Sequence, residues 1–214
     1  MVTISVPASW GYAPGPITIP IPKGITGNPG SDAELIVIVD HLVYSFWVFS
    51  RIDDNNATAM AYGRADIVSD TGWGRVFPAL GAGIVAAGSS VLAGMINQAE
   101  TDAGEINHAL QISLFNTLQQ PGFVSPAISG DGNSSTGIAK EGQLLAIPLG
   151  TTMPNGLSSL GQKVFRCLQN YGAYDIDTAG TTNFRAQTNA YGQATIDALR
   201  SDVQVLIPLL QRVN

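Results

Sequence analysis

Charge is what this chain has least of. Asp, Glu, Lys and Arg make up 12% of its 214 residues, about half the share usual in soluble proteins. Ten Lys and Arg stand against sixteen Asp and Glu, a formal net charge of −6. The cations are scattered along the chain rather than gathered into a basic stripe, which excludes the electrostatic footprint of a nucleic-acid binder. One cysteine, Cys167, excludes an intrachain disulfide. Two histidines and that cysteine are too few for a structural zinc site. A charged start followed by an apolar run, the mark of a signal peptide, is not seen. The most apolar stretch, residues 79–96, is interrupted by Gly81, Gly83, Gly88, Ser89, Ser90 and Gly94, so no membrane span is expected. Neither Gly-x-Gly-x-x-Gly after a strand nor a P-loop occurs, and no cofactor is expected.

What the chain has is apolar residues, 45% of the total, with 24 Gly and 12 Pro. Ser, Thr and Asn dress the rest, which suits a β-rich, loop-rich protein with a hydroxyl and amide surface. Residues 1–33 carry prolines between short β-like runs such as Ile17-Thr18-Ile19-Pro20-Ile21-Pro22. Proline confines such a segment to an edge strand or an extended arm. Leu35 to Val39 reads as a strand buried on both faces, and Leu42 to Ser50 as an aromatic, β-branched strand. The turn Asp53-Asp54-Asn55-Asn56 leads to a third strand, Ala57 to Ile67, and closes an antiparallel hairpin. Glu105 to Leu114 alternates, with Ile106, His108, Leu110, Ile112 and Leu114 on one face and Glu105, Asn107, Ala109, Gln111 and Ser113 on the other. Short strands follow at Leu144 to Pro148 and Ala173 to Asp177. Ser158 to Tyr171 has a helical period, a serine cap and Gly172 as its stop. Ile196 to Arg200 reads as a short helix followed by a strand at Val203 to Ile207, with a continuous helix over 195–207 as the competitor. The expectation is a mainly β protein, an antiparallel β-sandwich with one or two short helices. An extended arm over 1–33 precedes a single domain over 34–214.

Several titratable or aromatic residues suggest chemistry. Glu100, Glu105 and His108 form the densest cluster. Acid–base work on sugars needs a carboxylate facing a second carboxylate or a proton donor. The alternation puts Glu105 on the face opposite His108, so the pair taken forward is Glu100 with His108. Asp40-His41 reads as a turn. Trp10, Trp47 and Trp73 offer flat faces for sugar rings. Asp53 to Asn56 and Asp131-Gly132-Asn133 cluster oxygen ligands, but neither has EF-hand spacing, and no metal is expected. Cys167 sits in an apolar pattern as a buried, inert thiol.

Between residues 80 and 177 the pattern resembles a family. Leu92-Ala93-Gly94-Met95-Ile96, Glu100 and Gly104-Glu105-Ile106-Asn107-His108-Ala109-Leu110 are similar to Gly-Leu-Ile-x-x-x-Glu-x-x-x-Gly-x-Ile-x-His-Ala-Leu. Phe123 to Gly132 resembles an aromatic-x-x-Pro-Ala…Asp-Gly stretch. Glu141-Gly142-Gln143-Leu144-Leu145 resembles a Gly-Ala-Arg-Leu-Arg-Leu strand. Leu168-Gln169-Asn170-Tyr171-Gly172 through Asp177 resembles Leu-x-x-Tyr-Gly-x-x-x-x-Asp, and Phe46-Trp47 a Glu-Phe-Trp segment. These motifs mark a broad family of mostly uncharacterised secreted bacterial proteins, largely actinobacterial, often attached to carbohydrate-binding modules. The chain departs from it at Asn97, where many relatives carry Arg, and at Ser45, where many carry Glu. The resemblance implies a jelly-roll-like sandwich outside the cytoplasm, at the cell surface or beyond it. The functional expectation set beside it is a carbohydrate-associated module that binds, or cleaves, polysaccharide near Trp47, Glu100, His108, Asp131, Tyr174 and Asp177. Glu100 and His108 would be catalytic, and Trp47, Asp131, Tyr174 and Asp177 would contact ligand. The rival expectation is a structural subunit of a filament, coat or virion. Copies of this chain would then be its partners, joined into a homo-oligomer by strand or arm exchange through residues 1–33.

Overall fold

The computed structural model describes residues 1–7, 15–74 and 82–213. The chain is mainly β and divides into two compact units, Met1–Leu92 and Ala93–Asn214. The division falls at Leu92. Trp10 and the start of the 79–96 stretch lie outside the described residues.

The first unit contains β1 (Val2–Ser5), β2 (Ile17–Ile19), β3 (Leu35–Val39), β4 (Leu42–Trp47), β5 (Ser50–Arg51), β6 (Asn56–Thr58) and β7 (Ala61–Asp66). One sheet has the order β2-β1-β6-β5 and the other β3-β4-β7. β1 runs antiparallel to β2 and parallel to β6, so the segment expected as an arm supplies an inner strand and its edge. Val2, Ile4 and Ile19 from one sheet and Tyr44 and Phe46 from the other belong to one buried cluster. The aromatic run expected as a strand is β4, and it is this strand, not β3, that is buried along its length. β3 is an edge strand with Ile38 exposed. The expected hairpin forms, closed by Asp53 Oδ1, which accepts from the backbone N–H groups of Asn55 (2.7 Å) and Asn56 (2.8 Å). Its return strand breaks after Thr58, because the Met60 N–H turns to the Trp47 carbonyl at 2.8 Å. β6 therefore stays in the first sheet and β7 joins the second.

β7 alternates in size as well as burial. Ala61, Gly63 and Ala65 are buried, and Tyr62, Arg64 and Asp66 are not. That row of small side chains lets residues 82–91 lie directly on the strand, and a Cβ on Gly63 would collide with the backbone of Gly83.

The second unit contains α1 (Gln98–Ala103), β8 (Leu110–Phe115), β9 (Gln119–Phe123), β10 (Ala139–Glu141), β11 (Leu144–Ala146), α2 (Ser159–Asn170), β12 (Ala173–Ala179), β13 (Asn183–Phe184), α3 (Gln193–Leu206) and β14 (Gln211–Arg212). Its main sheet has the order β13-β8-β12-β11-β14, and β9 pairs with β10 separately. β8 and β12 are parallel, as are β9 and β10, which corrects the expectation of purely antiparallel pairing. The long connection that parallel β8 and β12 require runs through β9, β10, β11 and α2. Leu110, Ile112 and Leu114 of β8 pack with Leu160, Val164, Phe165 and Leu168 of α2 and Leu199, Val203 and Leu206 of α3. α3 is continuous, since the helical spacing of Ile196, Leu199, Val203 and Leu206 prevails over a terminal strand. Among the described residues no helix is long and apolar enough to cross a membrane.

Candidate functional site

The Asn97-to-Glu100 segment is a helix start written in side chains. Asn97 Oδ1 accepts the Glu100 N–H at 3.0 Å, and Glu100 turns its carboxylate back onto Asn97 Nδ2. The first bond satisfies one of the donors that a helix N-terminus leaves open, and the second ties the two side chains together. Gly104 ends α1 in the left-handed region, with φ at 112°. The chain then reverses and brings His108 back to the same helix. His108 Nε2 lies 3.1 Å from Glu100 Oε2, and Nδ1 lies 2.9 Å from the Ala109 carbonyl. A carbonyl only accepts, so Nδ1 carries a proton and donates it there.

The expected pairing of Glu100 with His108 is therefore present, but on a different scaffold from the one alternation suggested. Residues 105–109 form a loop ahead of β8, and His108 is not on the apolar face of a strand. Glu105 is exposed. Cys167, from α2, donates its thiol to the His108 carbonyl at 3.1 Å. Burial pushes that thiol up to about 12, helped by the negative charge of Glu100. It ties α2 to the loop, in surroundings that disfavour the thiolate.

A second cluster gathers around the later half of β12. Register places Ser113 of β8 beside Asp177, with an irregularity between Asp175 and Asp177. Arg185 Nη1 donates to Ser113 Oγ at 3.0 Å, and Nη2 lies 3.5 Å from Asp177 Oδ2. Asp131, exposed on the loop between β9 and β10, accepts the Thr178 hydroxyl on Oδ2 at 3.1 Å. Its own N–H donates to Glu141 Oε1 at 3.1 Å. Asp175 Oδ2 accepts from Gln119 Nε2 at 2.8 Å.

Glu141, Asp175 and Gln119 are each fully buried. Glu141 Oε2, Asp175 Oδ1 and Gln119 Oε1 have no hydrogen-bond partner of good geometry among the described residues. Burial pushes the Glu141 carboxyl up to about 9, with further upward pressure from contact with the Asp131 side chain and from the charge of Asp175. Asp175 rises to about 7, again first by burial, against the lowering hydrogen bond from Gln119. Desolvation favours the neutral acid at both positions. A close approach fixes the loop, because a Cβ on Gly130 would collide with Glu141 Oε2. Among the described residues no three His, Cys, Asp or Glu side chains are arranged to hold a metal ion.

The structure thus gathers Asp131 and Asp177 near the same pair of buried acids. Tyr174 is half-buried on β12, opposite Leu144 of β11. Trp47 belongs to the first unit, where its indole N–H donates to Asp32 Oδ1 at 3.1 Å. Sequence reasoning missed Glu141, Asp175, Gln119 and Arg185 as members of a site. The signal for Asp175 was there: a carboxylate between Tyr174 and Ile176, inside a strand with an apolar pattern. A cleft of about 540 Å³ also opens in this unit, floored by Ile96, Phe184, Leu199 and Val203, and it takes none of the expected site residues. Comparison with known protein families, with curated proteins and with solved structures finds no match.

Proposed function

We propose that the chain is an extracytoplasmic, carbohydrate-associated protein whose second unit binds polysaccharide through Asp131, Thr178, Asp177 and Arg185. The observation that supports this reading is a pair of acceptor–donor contacts on successive residues of β12, Asp131 with Thr178 and Asp177 with Arg185. A sugar hydroxyl both donates and accepts, so a carboxylate beside a hydroxyl or guanidinium can hold adjacent hydroxyls of one ring. Cleavage is less well supported than binding. Glycoside hydrolysis draws on two carboxylates across the scissile bond, whereas Glu100 is engaged by His108 and by its own helix cap. The setting outside the cytoplasm rests on the motif resemblance. A jelly-roll-like sandwich is kept as a reading of the first unit alone, supported by the shared core of its two sheets. Assembly by exchange of residues 1–33 stays as the rival reading, since β1 and β2 would travel together and β1 would re-form its ladder with β6 of another copy.

Affinity electrophoresis tests the reading with a soluble β-glucan, a xylan and a mannan in the gel. At least one should retard the protein, and D131N and D177N should each abolish most of that retardation. Unchanged mobility in all three gels, or retardation of both variants equal to wild type, would overturn it.

A further inference from the structure

Glu141 and Asp175 have no role in that binding row, yet they are the most completely buried acids of the second unit. Their surroundings can be named element by element. β9 presents Gln119, whose amide donates to Asp175. The β9–β10 loop presents Asp131, whose N–H is on Glu141 and whose carboxylate is on Thr178. β12 adds Asp177 beside Asp175. The cation bonded to this set is Arg185, and its guanidinium goes to Asp177 and to Ser113 of β8. Lys140, next to Glu141 in β10, projects to the other side of the strand by alternation. Glu141 and Asp175 therefore face carboxylates and an amide.

These two acids also sit at the join between three strands. The Gly142 N–H donates to the Asp175 carbonyl at 2.7 Å, and the Asp175 N–H donates to the Gln143 carbonyl at 2.9 Å. The Val124 N–H donates to the Glu141 carbonyl at 2.8 Å. Negative charge placed here has no exit to water and, among the described residues, no counter-ion in contact, and its cheapest relief is separation of the strands.

We propose that Glu141 and Asp175 form a proton-keyed latch. Protonated, they hold the β9–β10 ribbon and the Asp131 loop on β12. Deprotonated, they drive the ribbon off. The latch belongs to the fold and does not depend on the carbohydrate reading, although it would regulate that surface by moving Asp131. Unlatching opens the 119–142 segment while α2 and the rest of the sheet stay closed.

Amide hydrogen exchange of the full chain, followed by mass spectrometry between pH 6 and 8 and corrected for intrinsic rates, tests it. Protection of peptides within 119–142 should fall as pH rises, by about tenfold per pH unit for each of the two groups that gains a charge on opening, and should stay below that of α2 throughout. E141Q and D175N keep shape and hydrogen-bonding atoms but lose the titration, and each should reduce the slope. The proposal is overturned if wild-type protection in 119–142 is independent of pH. It is equally overturned if both variants retain the full wild-type slope. The wild-type measurement decides alone should a variant fail to fold. Loss of pH dependence with saccharide binding intact would sink the latch and leave the binding row standing.

Discussion

Asp202 of α3 accepts the Ser158 hydroxyl at 2.5 Å, so the residue that caps α2 is itself held by the neighbouring helix. Ser158 Oγ accepts the Gly161 N–H at 3.0 Å in turn, and the Ser158 N–H also lies on Asp202 at 3.2 Å. Gly161 makes this approach possible, since a Cβ there would collide with the Asp202 carboxylate. Asp202→Ala strips the cap of its anchor and leaves buried donors unpaired. It should destabilise the second unit by about 2–3 kcal/mol in urea denaturation, with Asp202→Asn costing less.

Gly63→Ala is expected to cost about 1–3 kcal/mol in the first unit, because its Cβ would meet backbone atoms of Gly83 and not the end of a flexible side chain. The thermal midpoint of that unit reads the effect. Ala65→Gly, on the same row, loses one buried methyl group and should fall nearer 1 kcal/mol.

Stability of the second unit should decline as pH rises. Glu141 and Asp175 stand at about 9 and about 7 in the folded chain, above their ordinary values of 4.5 and 3.8. The folded state therefore holds protons that the unfolded state has released, and each added pH unit between those limits favours unfolding. Wild type and D175N should melt alike near pH 4, where both carry a neutral group at this position. At pH 8 D175N should melt several degrees higher. A wild-type midpoint that climbs from pH 5 to pH 8 would contradict this assignment.

Cys167 should be silent in the native protein. Its thiol is buried and pushed up to about 12, so iodoacetamide at pH 8 should leave it unmodified over hours and label it at once in guanidinium. Rapid labelling of the folded chain would mean that the His108 loop opens freely.

Much of the fold could be read from local pattern. Helix α2 was legible because period, cap and stop agree: Ser158 caps it, and Gly172 follows it at φ 73°. The Asp53–Asn56 turn was legible for the same reason, its side chains closing on their own backbone. Residues 105–109 misled because alternation there has a different cause. Ile106 is buried, but His108 is drawn back to Glu100 by a contact that no strand pattern encodes. The parallel pairing of β8 with β12 was hidden because β9, β10, β11 and α2 come between them, and pattern alone names no partner. Of the site, Glu100 with His108 could be read from spacing, and Asp131 and Asp177 from motif resemblance. Glu141 and Asp175 could not, since a carboxylate in a short strand is ordinarily read as facing solvent.

The arrangement of the main sheet sets an order on how the chain can acquire it. β8 carries Leu110, Ile112 and Leu114, all destined for the core, yet both its neighbours, β12 and β13, lie later in the chain. During synthesis this strand emerges with no edge to join and no helix to cover it. It waits, adhesive, until α2 and β12 have followed. In the nascent protein it is the segment most apt to be grasped by a chaperone or by another unfinished copy.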